Sequence, residues 1–237
     1  MNSPVVYLIP TVLQEDAIET IPAYVFDAVR DCQSFFVENE RTARRFLKKI
    51  WKEMVIDAYE WHAIPKQGED EDGMLMAFTK NLKEKKNIGI ISEAGCPGIA
   101  DPGQRLVAIA HEQNVIVKPL VGPSSILLAL MASGLNGQQF QFVGYIPIDA
   151  VARSKALKEL EADSKKRNCT QVFIETPYRN NQLLETILKS CSPSTQLCIA
   201  ANITAKNEMI GTKKISEWKK TLPDLHKQPV IFCLLAS

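Results

Sequence analysis

The residues with the strongest chemical implications lie in one short loop, residues 92–103, which reads SEAGCPGIADPG. It directly follows the apolar run Ile88–Ile91. Glycine permits positive φ and lets a backbone approach a ligand closely, whereas proline fixes φ and stiffens the chain. A stiff loop of small residues at the C-terminal end of a buried strand is where an open α/β sheet binds its ligand. The loop therefore predicts a ligand site rather than an ordinary tight turn.

Two carboxylates of this loop, Glu93 and Asp101, are candidates for chemistry, and both have structural alternatives. Asp101 precedes Pro102, an arrangement typical of a helix N-cap followed by proline in the first turn. We therefore favour a structural role for Asp101.

A second segment, residues 38–52, combines acidic, amide and basic side chains. Glu38 and Asn39 come directly after the strand candidate 35–37, and Arg41 follows. The basic residues recur at helical spacing and are Arg41, Arg44, Arg45, Lys48, Lys49 and Lys52. Two interpretations stay open: the stripe neutralises the phosphates of RNA, or it is a solvated helix face.

Three further segments carry candidate residues. Residues 122–126 run from Gly-Pro-Ser-Ser into an apolar helix. Its N-terminus can hold acceptor groups and can also be capped by Ser124, because a cap leaves other donors free. Glu175 and Arg179 flank a strand end, where they either orient a substrate or form an ion pair. Asn202 and Lys206 follow a later strand candidate.

Strand and helix patterns alternate along the chain and indicate an α/β fold. Short apolar runs predict strands at 5–9, 35–37, 88–91, 115–117, 140–145, 172–174, 196–201 and 230–235. Helical periodicity is expected at 15–31, 41–55, 74–85, 104–113, 125–133, 153–166 and 181–188. We predict two α/β lobes, 1–119 with a mostly parallel sheet and 120–237 with a mixed sheet, and a cofactor cleft between them.

Several of these segments resemble one known family. The loop is similar to the SDAGTPGISDPG signature of the ribosomal RNA small subunit methyltransferase I group, within the tetrapyrrole methylase superfamily, and differs from it at Glu93, Cys96 and Ala100. The segments at 38–41, 122–124, 133–135, 144–147, 175–179 and 202–208 resemble further elements of that group. The resemblance covers most of the chain.

The resemblance implies a methyltransferase that uses S-adenosyl-L-methionine and forms a homodimer. The implied cofactor-binding residues are Pro10, Gly95, Cys96, Pro97, Gly98, Ile99, Ser124, Ser125, Ile126 and Asn202. Candidate catalytic carboxylates are Glu38, Glu93 and Glu175. Candidate substrate-binding residues are Arg41, Arg44, Arg45, Arg179 and Lys206.

The chain departs from the family pattern at three places. Asn39 replaces an aspartate, Asn202 replaces a glutamate, and the residues after Pro10 lack a Gly-Asn pair. Three functions follow as alternatives: methylation of a cytidine ribose 2′-hydroxyl in ribosomal RNA, methylation of a tetrapyrrole or other small molecule, and a cofactor- or RNA-binding module with altered catalysis. We favour the first.

Composition is that of an ordinary globular protein, with 46% hydrophobic residues and a net charge of +1. Charge therefore neither supports nor excludes RNA. Six cysteines without a C-x-x-C pair and three separated histidines predict reduced thiols and no metal site. The start of the chain, residues 1–4, lacks signal-peptide features, and no apolar run is long enough to span a membrane. We expect a cytoplasmic protein.

Overall fold

The structure is a computed structural model that describes residues 3–66 and 68–237. The chain divides into two compact units, the first ending at Ser124 and the second running from Ser125 to Ser237. Each unit is an α/β arrangement with its own five-stranded sheet. The predicted fold class, with a parallel sheet followed by a mixed one, is confirmed.

The sheet of the first unit is parallel throughout. Its strands are β1 (Val5–Ile9), β2 (Ser34–Val37), β3 (Glu60–Ala63), β4 (Ile88–Ile91) and β5 (Ile116–Pro119), in the spatial order β3-β2-β4-β1-β5. Of the three inner strands, β2 and β4 are buried along their whole length, which explains why each reads as a continuous apolar run. Their register pairs Val37 with Ile91, so both strands end at the same level.

Four helices join these strands: α1 (Val25–Asp31), α2 (Glu40–Ile50), α3 (Asp72–Lys83) and α4 (Gln104–Glu112). Helix α2 buries Ala43, Phe46 and Leu47 and exposes its basic residues, as its amphipathic sequence requires. The connection from β4 to α4 is the glycine-rich loop, residues 92–103, and it therefore lies at the C-terminal edge of a parallel sheet.

The sheet of the second unit is mixed. Its strands are β6 (Phe140–Tyr145), β7 (Thr170–Ile174), β8 (Gln196–Ala201), β9 (Met209–Lys214) and β10 (Val230–Leu235), in the order β6-β7-β10-β8-β9. Strand β6 pairs with β7 in parallel, and the remaining pairs are antiparallel. The helices of this unit are α5 (Ser125–Ser133), α6 (Ala150–Arg167), α7 (Asn180–Ser190) and α8 (Ile215–Trp218).

Two helix predictions require correction. The segment 15–31 forms a 3-10 turn, Ile18–Thr20, and only then helix α1, because Pro22 interrupts the backbone hydrogen bonds of a continuous helix. The helix expected over 41–55 ends at Ile50. The chain then turns, and Lys48 Nζ donates to the main-chain oxygens of Lys52 and Met54 at 2.6 and 2.8 Å.

Candidate active site

The C-terminal ends of β2 and β4 bring two predicted catalytic residues together. Glu38 and Ser92 directly follow these paired strands, and the Glu38 N–H donates to the Ile91 carbonyl at 3.3 Å. The side chain of Glu38 then reaches into the glycine-rich loop, where its Oε2 accepts the Glu93 N–H at 2.5 Å. The sheet register, rather than proximity in sequence, therefore places one carboxylate against the loop that carries the other.

Burial raises the pKa of Glu38 above its usual value. The hydrogen bond from the Glu93 N–H opposes this shift, whereas the neighbouring carboxylates of Asp101 and Glu93 add to it. Glu38 is half-buried and Glu93 is exposed. A carboxylate with a raised pKa is a stronger proton acceptor once it is ionised, which is the property that a general base requires.

Asn39 has two structural contacts in this cluster. Its Oδ1 accepts the N–H groups of Arg41 and Thr42 at 3.1 and 3.3 Å, so it is the N-cap of α2. Its Nδ2 donates to Glu93 Oε1 at 3.3 Å. The amide thus donates a hydrogen bond to Glu93 at a position where an aspartate would add a further negative charge.

The glycine-rich loop is fixed by its own backbone and by Asp101. Gly95 (φ +77°) exchanges backbone hydrogen bonds with Thr11 at 2.9 and 3.2 Å, which ties the loop to the chain after β1. The Asp101 carboxylate accepts the N–H groups of Gly98 and Gly103 at 2.8–2.9 Å. The prediction that Asp101 is the N-cap of α4 is wrong, because the helix begins at Gln104 with Gly103 as its N-cap.

Predicted cofactor residues from three segments meet in the first unit. A Cβ on Gly122 would lie 2.1 Å from Pro10 Cβ, so the Gly122 backbone packs directly on that proline. Cys96 Sγ lies 3.7 and 3.5 Å from the carbonyl oxygens of Gly122 and Pro123. The chain leading to Ser124 is therefore held against the loop.

The backbone at Gly98 and Ile99 is different, because it borders open space. A Cβ built on Gly98, which has φ +81°, would meet no atom within 4 Å among the described residues. The Ile99 side chain next to it is 55% exposed, whereas Pro97 is buried. This part of the loop is rigid at its base and accessible at its tip.

In the second unit, the Glu175 side chain is fully buried just beyond the end of β7. Its Oε1 accepts the Thr176 N–H at 2.7 Å and the Arg179 Nε and guanidinium NH2 at 3.0 and 2.6 Å. The geometry favours the ion-pair interpretation of Glu175 and Arg179.

The chain after β8 holds the last candidates. Asn202 is buried, adopts a left-handed conformation (φ +53°) and donates through Nδ2 to Gln228 Oε1 at 2.5 Å. Thr204, at φ +72°, is strained for a β-branched residue, and such outliers concentrate at functional sites. Lys206 is exposed, and Ser125 and Ile126 form the first turn of α5.

Comparison with known proteins identifies the family of this chain. A sequence profile of the Tetrapyrrole (Corrin/Porphyrin) Methylases matches residues 17–219, most of its length. The chain belongs to the tetrapyrrole methylase family. It is accordingly an enzyme of the methyltransferase class, as the sequence predicted.

Relatives of this chain include proteins named ribosomal RNA small subunit methyltransferase I. The one from Vibrio cholerae is 27% identical over 91% of this chain and 70% of its own length. The one from Halalkalibacterium halodurans is 28% identical over 77% of this chain and 58% of its own length. The Escherichia coli O157:H7 relative is 35% identical over 57% of this chain and 46% of its own length. The alignments thus span 46–70% of the length of these relatives.

Solved structures share the fold of the methylase at low identity. The methyltransferase CobJ aligns with a TM-score of 0.64 at 13% identity, over 100% of this chain and 95% of CobJ. Diphthine synthase aligns with a TM-score of 0.66 at 13% identity, over 99% of this chain and 90% of that protein. These likenesses establish the fold.

The basic stripe on α2 of the methylase is largely engaged in contacts within the protein. Arg44 pairs with Glu40 and its guanidinium carbon lies 5.0 Å from the centroid of the Trp61 ring. Arg45 and Lys49 both contact Glu15. Arg41 is exposed at the first turn of the helix. The stripe is therefore neither a uniformly solvated face nor a row of free cations.

The segment after Pro10, where the chain departs from the family pattern, lies near the carboxylates. Its residues Thr11, Val12 and Leu13 line a cavity together with Glu15 and with Phe46 of α2. Glu15 was missed from the sequence, because only the arrangement of β1, β4 and α2 in space brings it to this cavity.

Two further searches cover the part of the chain that the structure describes. Within residues 3–66 and 68–237, no three His, Cys, Asp or Glu side chains are grouped so as to hold a metal ion. In the same ranges, none of the helices combines the length and apolarity needed to span a membrane.

Proposed function

We propose that this methylase transfers a methyl group from S-adenosyl-L-methionine to RNA, specifically to the ribose 2′-oxygen of a cytidine in ribosomal RNA. The observation that carries the proposal is the contact between Glu38 and the glycine-rich loop at the C-terminal edge of the parallel sheet. The names of the relatives support RNA as the methyl acceptor.

The glycine-rich loop fits the proposed cofactor. The open space beside Gly98 and the exposure of Ile99 leave main-chain groups accessible to an adenosyl compound. The carboxylates of Glu38 and Glu93 provide negative charge for a sulfonium cation. The candidate contacts that the family resemblance implies are Pro10, Gly95, Cys96, Pro97, Gly98, Ile99, Ser124, Ser125, Ile126 and Asn202. When bound, the cofactor supplies an already activated methyl group.

Glu38 is the carboxylate best suited to receive the proton of the acceptor hydroxyl. A ribose hydroxyl is a weak nucleophile, so a nearby base assists its attack. The Glu93 N–H fixes Oε2 of Glu38, and burial keeps the pKa of Glu38 above its ordinary value. Glu93, which accepts from Asn39, contributes orientation and charge in this proposal.

The other candidates take supporting roles. Glu175 is neutralised by Arg179, so this pair stabilises the second unit rather than carrying the proton. Lys206 and Arg41 are exposed cations suited to RNA phosphates. Arg44 and Arg45 are already paired with carboxylates, and any phosphate contact through them has to displace or share those partners.

A methyl-transfer assay tests the proposal. The full chain, with cofactor labelled in its methyl group, is incubated with small ribosomal subunits lacking the modification and, separately, with tetrapyrrole precursors. We expect label in ribosomal RNA, at a cytidine ribose. Label in the tetrapyrrole alone would replace RNA with a small-molecule acceptor. Calorimetric binding of S-adenosylhomocysteine without transfer to either acceptor would indicate a binding module.

We also infer that the protein acts as a homodimer in the cytoplasm. The family resemblance supports the dimer, and the six free thiols, five of them buried, suit a reducing compartment. Sedimentation velocity of the full chain tests the first inference, and a single monomeric species at assay concentration would contradict it. Fractionation of cells tests the second.

A further inference from the structure

A cavity of about 200 Å³ lies beside the carboxylate cluster in the first unit. It is formed by the chain after β1, by α2 and by the start of the glycine-rich loop. Its lining residues are Thr11, Val12, Leu13, Glu15, Thr42, Ala43, Arg45, Phe46, Lys49, Ser92, Glu93 and Ala94. We call it the Glu15 cavity. Its size is below the ~300–1,000 Å³ typical of sites for drug-sized ligands, so it suits one ring-sized group rather than a whole cofactor.

The chemistry of the lining changes across the cavity. Val12, Leu13 and Phe46 supply apolar surface suited to the faces of a planar ring. Glu93 belongs both to this lining and to the cluster with Glu38 and Asn39. A group bound in the cavity would therefore lie next to the candidate base.

An internal anion holds the two cations of the cavity. Glu15 Oε1 lies 3.1 Å from Lys49 Nζ and 3.6 Å from an Arg45 guanidinium nitrogen. Lys49 and Arg45 hold the pKa of Glu15 below its usual range. One carboxylate oxygen thus occupies the position between two cations that a phosphate oxygen would take in a nucleotide complex.

This ion pair is suited to exchange. The Glu15, Arg45 and Lys49 side chains are 64%, 51% and 36% exposed. Exposed pairs of this kind add little to stability, because water and salt screen them. A phosphate group offers more acceptor oxygens to the same cations and can replace the carboxylate without disturbing the buried core.

We propose that the Glu15 cavity is a nucleotide subsite for single-stranded RNA, and that Glu15 occupies the place of a phosphate until RNA binds. The base enters the apolar slot beside Phe46, and the adjoining phosphate takes over Arg45 and Lys49. This inference rests on the proposed function for its choice of RNA as ligand.

The first test removes the internal anion. Glu15→Gln eliminates the competing charge, and we expect the full chain to bind a labelled short oligocytidylate about threefold more tightly at low salt, measured by fluorescence anisotropy. Glu40→Gln is the matched control, because Glu40 also pairs with an arginine of α2 but neither residue of that pair lines the cavity. If both variants bind oligocytidylate more tightly by the same factor, the gain comes from the change in net charge alone and the proposal is overturned.

The second test follows the salt dependence of binding. Arg45→Gln combined with Lys49→Gln removes one phosphate contact, so the slope of log affinity against log salt should become less steep by about 0.7. Lys80→Gln combined with Lys83→Gln removes the same charge from α3, away from the cavity, and should change the slope less. An unchanged slope in the first double variant would overturn the proposal.

Methyl transfer separates the two levels of inference. If ribosomal RNA is methylated while Glu15→Gln and Glu40→Gln bind oligocytidylate alike, the subsite is wrong and the proposed function stands. If Glu15→Gln alone tightens binding while no RNA accepts a methyl group, the subsite stands as a nucleotide site and the proposed function is wrong.

Discussion

Two carboxylates at strand ends, Glu38 after β2 and Glu175 after β7, have opposite surroundings. The charges acting on Glu38 are other carboxylates, Asp101 and Glu93, and burial raises its pKa further. Glu175 is more deeply buried, but one of its oxygens accepts hydrogen bonds from Arg179 and from the Thr176 N–H. Both residues lie at motifs shared with the same family, and both were predicted as catalytic.

The difference shows that burial alone does not identify a catalytic carboxylate. An arginine partner offsets the charge of a buried carboxylate, and such a pair suits a structural role. Burial and the neighbouring carboxylates raise the pKa of Glu38, and the Glu93 N–H holds one of its oxygens in place. A carboxylate whose pKa is perturbed by burial and by neighbouring charges is typical of functional sites.

The largest expected effect concerns Glu38. Glu38→Gln keeps the size of the side chain and an oxygen for the Glu93 N–H, but removes the proton acceptor. We expect kcat for RNA methylation to fall at least about 100-fold, with S-adenosylhomocysteine affinity changed little. Single-turnover methyl transfer measures the first and calorimetry the second. In contrast, kcat of the folded Glu175→Gln variant should stay within about twofold of the value for the unchanged protein. A comparable loss of kcat in both variants would contradict the different roles assigned to Glu38 and Glu175.

A second prediction concerns the loop that Glu38 contacts. Gly98 has φ +81° and open space around a built Cβ, so Gly98→Val strains the backbone by about 1–3 kcal/mol without a direct clash. We expect at least roughly tenfold weaker binding of S-adenosylhomocysteine, because the strain is relieved by moving the loop.

Gly134→Val is the matched control for this variant. Gly134 has φ +66° and similarly open surroundings but lies in the second unit, after α5. The two substitutions should lower thermal stability by similar amounts, and only Gly98→Val should weaken the binding of S-adenosylhomocysteine. If calorimetry gives the same affinity for S-adenosylhomocysteine in both variants, the loop is not part of the cofactor site.

The third prediction tests the structural role of the other carboxylate. Arg179→Gln leaves a fully buried carboxylate without its cation, and we expect the midpoint of thermal unfolding to fall by roughly 5 °C. Adding Glu175→Gln removes the unpaired charge and should recover most of the loss. A large decrease in kcat with unchanged thermal stability would instead assign Arg179 to the substrate.

Sequence reasoning succeeded where local pattern and burial agree. The inner strands β2 and β4 are continuous apolar runs, and β8 and β10 were predicted with the bounds that the structure has. The family resemblance directed attention to Glu38 and to the glycine-rich loop. The contact between them depends on strand register, which no pairwise spacing in the sequence encodes.

The strands missed from the sequence lie at sheet edges. Strands β3 and β9 are edge strands, and their sequences include polar residues such as Glu60 and Lys214. Because one side of an edge strand has no neighbour, its composition resembles that of a loop. Glu15 was missed for a related reason, since its significance comes from cations that lie more than two dozen residues away on α2.

The smallest expected effect concerns the position where the chain departs from its family. Asn39→Asp retains an N-cap for α2 and adds a negative charge at the helix N-terminus, which is favourable. It also replaces a donor to Glu93 by a like charge. These contributions oppose each other, so the free energy of unfolding should change by no more than about 1 kcal/mol.

The pH dependence of Asn39→Asp is the sharper measurement. An added negative charge raises the pKa of Glu38 further, because ionisation then occurs beside one more carboxylate. Since the proposed base acts in its ionised form, the rate should reach half its maximum at a higher pH than in the natural chain, with the plateau unchanged. An identical pH profile in the two proteins would mean that the proton-accepting group is not in contact with the cluster of Glu38, Asn39 and Glu93.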